Sequence, residues 1–172
     1  MDDKKLVITG INSKYQMKKI LGLKQQDPKQ RSIWDDNLIA DDLFISSNQL
    51  NAIVDIHNSN PIYLKEITKK VNGYKNQDTL KTRLVEEFIT IQQTIELINA
   101  CELTCYYCCC FTSILYKNAR DGSQWSLDRI DNNIGHTQSN VVVACLKCNL
   151  QKKRLSTNAF IMTKQMIITR VE

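Results

Sequence analysis

An α+β fold is predicted, with a mostly helical N-terminal part over residues 1–99 followed by a cysteine-rich module over residues 100–172 that runs strand, loop, strand, helix. Three observations predict it. Apolar residues recur at helical spacing between Leu50 and Ile98. Two β-rich segments, Trp125–Ile130 and Asn140–Ala144, flank a turn-rich loop. Two Cys-x-x-Cys pairs, Cys105/Cys108 and Cys145/Cys148, stand 36 residues apart, a gap long enough to hold a hairpin.

In chain order, Lys5–Thr9 reads as a short strand, and Asn12 or Ser13 caps a helix carrying Tyr15, Met17, Ile20 and Leu21 that ends near Gly22. A polar loop spans 25–30. Trp34, Leu38, Leu43 and Phe44 then give a broken apolar pattern that favours helix over strand. Ser46, Ser47 and Asn48 precede Leu50, Ile53, Val54 and His57, one face of a helix on which His57 reads as a hydrogen-bonded core residue. Pro61 suits the first turn of a second helix, with Leu64, Ile67 and Val71 inward and Gly73 at its end. Residues 76–78 then cap a long third helix whose stripe is Leu80, Leu84, Phe88, Ile91, Ile95 and Ile98. These helices read either as a bundle supporting the module or as a helix-turn-helix that turns Lys65, Lys69, Lys70, Lys75, Lys81 and Arg83 toward a duplex. The N-terminal part is thus a domain or arm with a supporting, DNA-binding or dimerisation role.

Inside the module, Trp125–Ile130 alternates as a strand should, and Asp131–Gly135 is a loop. Asn140–Ala144 is β-branched, and a helix follows from about Leu146 through Lys153. Ser156 or Thr157 caps a last helix whose Phe160, Ile161, Met166 and Ile167 pack back on the module.

Two thiolates spaced two residues apart grip one side of a tetrahedral ion, and a second such pair grips the other, so Cys105, Cys108, Cys145 and Cys148 read as ligands of a structural Zn²⁺. Cys109 or Cys110 can replace Cys108 in the run CYYCCC; the matching spacing of the second pair favours Cys105/Cys108. All seven cysteines lie between Cys101 and Cys148, and no apolar leader or membrane-length run is present. Zinc in a reducing intracellular compartment, cytoplasm or nucleus, is expected rather than a disulfide framework, and no membrane partner is expected. Hydrophobic content of 42% and charged content of 24% are ordinary for a soluble globular chain. The net charge of +5 is uneven, with nine Lys/Arg against five Asp/Glu in 101–172, as a phosphate-binding surface requires. Abundant Asn, Ile and Lys with little Gly or Pro suggest an AT-rich genome such as that of a large DNA virus or phage.

The stretch from Cys105 to Arg154 resembles an HNH endonuclease of the ββα-metal family in its zinc-knuckle form. That pattern runs CxxC, Asp-His on the first strand, an Asn opening the second, then CxxC-Asn and a trailing Lys. Asp128-Arg129 falls on the Asp-His pair, Asn140 on the middle Asn, Cys145-x-x-Cys148-Asn149 on the last element, and Lys152 or Lys153 on the trailing base. The likeness covers about residues 100–160. It implies a catalytic Mg²⁺ or Mn²⁺ held by Asp128 and Asn149, with Asn140 orienting the loop. It implies phosphate contacts from Arg129, Lys147, Lys152, Lys153 and Arg154, with duplex or branched DNA as partner. Junction-resolving relatives are dimers, which makes a homodimer an expectation by analogy.

One position departs. The family's general base is a His, and this chain has Arg129, whose guanidinium stays protonated and cannot take a proton from water. The string SLDRIDN…GHT…N resembles a sub-group of phage and viral HNH-like proteins with Arg there. Three solutions stay open. Solvent takes the proton of a metal-activated water. His136 acts as the base. Or the module no longer cuts, and Arg129 clamps phosphate with its fork of donors. The two resulting expectations are a metal-dependent DNA endonuclease and a zinc-stapled module that binds DNA or a protein partner without cutting.

Overall fold

The computed structural model describes Arg31 and residues 40–83, 87–153 and 155–166. The expectations for Lys5–Thr9, the helix around Tyr15 to Leu21, Trp34, Leu38, Leu84, Arg154 and Ile167 lie outside those residues. The described chain is mixed α+β. A 3₁₀ turn at Asp41–Phe44 leads into α1 (Ser46–Val54), α2 (Pro61–Leu80) and α3 (Ile91–Ala100). Then come β1 (Trp125–Arg129), a 3₁₀ turn at Gln138–Asn140, β2 (Val141–Cys145), α4 (Leu146–Lys152) and α5 (Thr157–Gln165).

Helix α1 buries Ala52 and Ile53 but stops at Val54, so His57 falls in the following turn and is exposed, not in the core. Its Gln49 is fully buried and satisfied: Oε1 accepts from Ile114 N at 2.7 Å and Leu115 N at 3.0 Å, while Nε2 donates to Phe44 O at 3.0 Å. Helix α2 starts where Asn60 Oδ1 accepts from Ile62 N at 3.1 Å and Pro61 supplies a first residue with no amide to orphan. It does not end at Gly73. It continues to Leu80, because residues beyond the glycine dock on the hairpin, and tertiary packing outweighs the glycine penalty of about 1 kcal/mol. Tyr74 Oη accepts from Leu127 N at 3.1 Å, and Asp78 is buried.

The single long third helix is corrected as well. Leu80 closes α2, and α3 starts only at Ile91, with a capping box in which Thr90 Oγ1 accepts from Gln93 N at 3.1 Å and Gln93 Oε1 accepts from Thr90 N at 2.8 Å. Leu80, placed on the stripe by its spacing, is 86% exposed. Ile95 and Ile98 are buried as their spacing requires.

One apolar core takes Ile53, Ile67, Val71 and Ile98 from the helices and Leu103, Ile114, Trp125, Leu127 and Val143 from beyond Ala100. β1 and β2 pair antiparallel, with Leu127 opposite Val143 and Asp128 opposite Val142. Alternation follows: Trp125, Leu127, Val141 and Val143 join the core under the helices. Ser126 and Asp128 take the other face, where α4 crosses. A second, smaller cluster of Cys105, Tyr107, Ala144, Cys145, Cys148 and Phe160 closes the base of the hairpin. Among the described residues no helix is long and apolar enough to cross a membrane.

Candidate functional site

Four cysteines converge at the base of the hairpin. The first pair sits in a tight turn: Cys105 N donates to Cys110 O at 2.9 Å, Cys109 N donates to Cys105 O at 2.9 Å, and Cys109 takes φ 56°. Tyr106 N donates to Val143 O at 2.9 Å, which fastens this turn to β2 beside the second pair. The second pair joins the end of β2 to the first turn of α4, where Cys145 Sγ accepts from Cys148 N at 3.4 Å. The Sγ atoms of Cys105, Cys108, Cys145 and Cys148 all lie within 4.8 Å of one another. Cys108 and Cys145 are 3.9 Å apart. Four sulfurs at about 2.3 Å from a central zinc are about 3.8 Å apart along each tetrahedral edge, so the cluster fits such an ion.

The leftover thiols stand outside. Cys110 Sγ faces Cys108 O at 3.5 Å, Cys109 is exposed, and Cys101 Sγ turns to Ile98 O at 3.3 Å. Cys105, Cys108, Cys145 and Cys148 can therefore hold a metal ion such as zinc. Their acid–base state sets what a cation must offset. Burial pushes the Cys145 thiol up to about 11 and pushes Cys148 up further. Burial also works against the Cys108 thiolate, but hydrogen bonds from Cys110, Cys105 and Cys148 outweigh it and bring that thiol down to about 7. A bound cation offsets the cost of the remaining thiolates.

Beside this staple, β1 and α4 form a polar ladder. Ser126 and Asp128 share one face of β1; Asn149 and Lys152 lie one turn apart on α4. Asn149 Nδ2 donates to Ser126 Oγ at 3.1 Å and to Leu127 O at 3.3 Å, and Ser126 Oγ donates to Ala144 O at 2.8 Å. One rung on, Lys152 Nζ stands 3.0 Å from Asp128 Oδ2 and donates to Arg129 O at 2.7 Å. Tyr107, from the first cysteine turn, donates its hydroxyl to the same Oδ2 at 2.5 Å. Burial, reinforced by the hydrogen bond to Asp128, raises the Tyr107 phenol far above its ordinary value and keeps it a donor. Asp128 is 6% exposed and Lys152 0%.

A third group lies at the far end of β1. Asp78 of α2 is buried; its Oδ2 accepts from His136 N at 2.7 Å and from the His136 ring at Nδ1, also 2.7 Å, and its Oδ1 accepts from Arg83 at 3.0 Å. Arg129 Nη1 is 3.9 Å from the same carboxylate and donates to Asn132 O at 3.2 Å. The His136 ring stacks on Tyr74 with centroids 4.6 Å apart. Burial opposes the Asp78 carboxylate, but these donors outweigh it and hold its pKa below the ordinary range. Burial lowers His136 in turn, against the pull of Asp78. Asn140 ties the intervening loop: Oδ1 accepts from Asp131 N at 2.9 Å, and Nδ2 donates to Asp131 O at 2.9 Å and Gly135 O at 3.0 Å.

Asp128, Asn149 and Lys152 thus share the β1–α4 face, whereas His136 is 2% exposed and bonded to Asp78. Lys152, expected on the surface, is wholly buried, because its ammonium is the counter-charge of Asp128. Lys147 and Lys153 are exposed. Lys70, placed toward a duplex in the helix-turn-helix reading, instead turns inward, with its ammonium 5.0 Å from the Trp125 ring and 5.1 Å from Tyr116. Spacing did not single out Tyr107, Ser126 or Asp78. The CYYC run placed Tyr107 beside the ligands, but nothing in it gave the direction of the ring.

No protein-family model matches this chain, and no solved structure matches it. Among curated proteins, it is 40% identical over 75 residues to the uncharacterized protein R423 of Acanthamoeba polyphaga mimivirus. The match takes in 44% of this chain and 12% of that protein's length. The relative is viral.

Proposed function

We propose that the described part beyond Ala100 is a zinc-stapled ββα module of the HNH type that binds DNA and hydrolyses a phosphodiester bond. The supporting observation is the β1–α4 ladder, in which Asn149 bonds to Ser126 and Leu127 and Lys152 pairs with Asp128, with Asn149 directly following Cys148. Fixing Nδ2 of Asn149 on Ser126 and Leu127 leaves its Oδ1 for a cation. A carboxylate and a carboxamide oxygen suit Mg²⁺ or Mn²⁺, which when bound supplies an activated water and relieves charge on the phosphate. Exposed Lys147 and Lys153 contact the DNA backbone. Arg129 braces the loop that Asn140 ties, so solvent takes the water's proton. The substrate is duplex or branched DNA, the active form a homodimer, and the setting the inside of a host cell, in line with the viral relative.

The test is incubation of supercoiled plasmid and of a four-way junction with the purified chain and Mg²⁺ or Mn²⁺. Nicking is expected, and is lost in Asp128→Ala and in Asn149→Ala. Cutting by Arg129→His but not by the wild type contradicts hydrolysis by this chain. A second reading, binding of DNA or a protein without cutting, draws on the engagement of both candidate bases: Arg129 lies on loop carbonyls and His136 on Asp78. Gel-shift binding without any nicking selects it.

A further inference from the structure

We propose that Lys152 is the resident counter-cation of Asp128 on the β1–α4 face and competes with a divalent ion for it, so that it sets how much metal the site requires. This deepens the proposed function and rests on it. A lysine with 0% exposure is costly unless an anion pairs with it, and Asp128 Oδ2, 3.0 Å from Nζ, is that anion. The second acceptor is the Arg129 carbonyl, at 2.7 Å. The ammonium therefore sits among hard oxygens, beside the carboxylate that the proposed cation needs and one helical turn from Asn149. The Tyr107 hydroxyl takes the same Oδ2, which leaves that oxygen no room for a further partner.

An ammonium and a divalent ion on one carboxylate repel each other strongly in a site this dry. Binding of the ion therefore expels the ammonium of Lys152, the last residue of α4. The next residue, Lys153, turns away from the helix at φ 51° and is exposed. Once out, the Lys152 charge joins Lys147 and Lys153 on the DNA-facing side. The paired state is thus a closed form in which the site is charge-balanced without metal. The open form combines a metal-loaded carboxylate with a third surface lysine.

Mn²⁺ binding to the zinc-loaded full chain, read by electron paramagnetic resonance of the free ion, tests this directly. Lys152→Met is expected to bind at least about tenfold tighter than the wild type, and Asp128→Asn not at all. A second measurement on the wild type guards against misfolding of the variant. Acetylation of Lys152 by an amine-reactive reagent, followed by mass spectrometry, should rise on saturation with Mn²⁺ while that of Lys147 and Lys153 does not. Equal Mn²⁺ affinity in wild type and Lys152→Met, or Lys152 labelling unchanged by Mn²⁺, overturns the competition and leaves the divalent site standing. Absence of Mn²⁺ binding in both proteins overturns the competition and the divalent site together.

Discussion

The base of the hairpin and its α4 side both gather charge, and they neutralise it by different means. At the base, four cysteine sulfurs lie within 4.8 Å of one another, and burial, reinforced by the neighbouring cysteines, pushes Cys145 and Cys148 toward the neutral thiol. On the α4 side, the buried Asp128 already has Lys152 and Tyr107. One end is built to take an ion from outside. The other is balanced by the protein itself. The fold should therefore depend on the first ion and be indifferent to the second.

The largest effect expected is from stripping the thiolate-bound metal. A structural zinc site contributes on the order of 10 kcal/mol, so chelation or Cys148→Ser should unfold the region around 100–160, seen as lost circular dichroism and a lower melting temperature. Unchanged melting would erase the contrast. Next is Lys152→Met, which leaves Asp128 buried without its cation and should cost about 3–5 kcal/mol in urea unfolding. Lys152→Met combined with Asp128→Asn should recover part of that loss, because no unpaired charge remains.

The Asp78 cluster sharpens the comparison through pH. His136 has a folded pKa below its ordinary 6.5, so the unfolded chain takes the proton first as pH falls. Its contribution is complete above about pH 6.5 and is lost as pH drops through the folded value. Asp78 is also lowered, from 3.8, so its contribution is present above that pH and is lost further down. Both make acid destabilising. His136→Gln should remove the upper step when urea midpoints are compared with wild type across pH 7 to 5, since thiolate protonation is common to both proteins. The smallest effects lie in the helices: Thr90→Ala should cost about 1 kcal/mol by removing a cap, and Gly73→Ala should add about 0.5–1 kcal/mol, as the position is exposed and open to a Cβ.

Legibility in the sequence divides along the same line. The cysteine pairs were readable because ligand spacing is a local constraint, and β1, β2 and α4 were readable from alternation, β-branching and the following helix. The capping box at Thr90 and Gln93 was also local, but the apolar stripe running from Leu80 to Ile98 masked the break before it. Gly73 looked like a helix end because propensity is local, whereas Tyr74 and Asp78 hold the helix from sites 53 and 58 residues away, at Leu127 and His136. Lys152 shows the same limit. A lysine in a basic run at a helix end reads as solvated, and its burial is set by a carboxylate on β1 and a phenol in the cysteine turn, neither of which spacing connects to it.

The most direct measurement is hydrogen exchange of the strand amides at 125–129 and 141–145 while metal-free protein is titrated with Zn²⁺. Protection that is absent without metal and returns fully at one equivalent per chain is expected if the thiolate-held ion fixes the hairpin on which Asp128 and Asn149 stand. Strands that are already protected in the metal-free chain would contradict it.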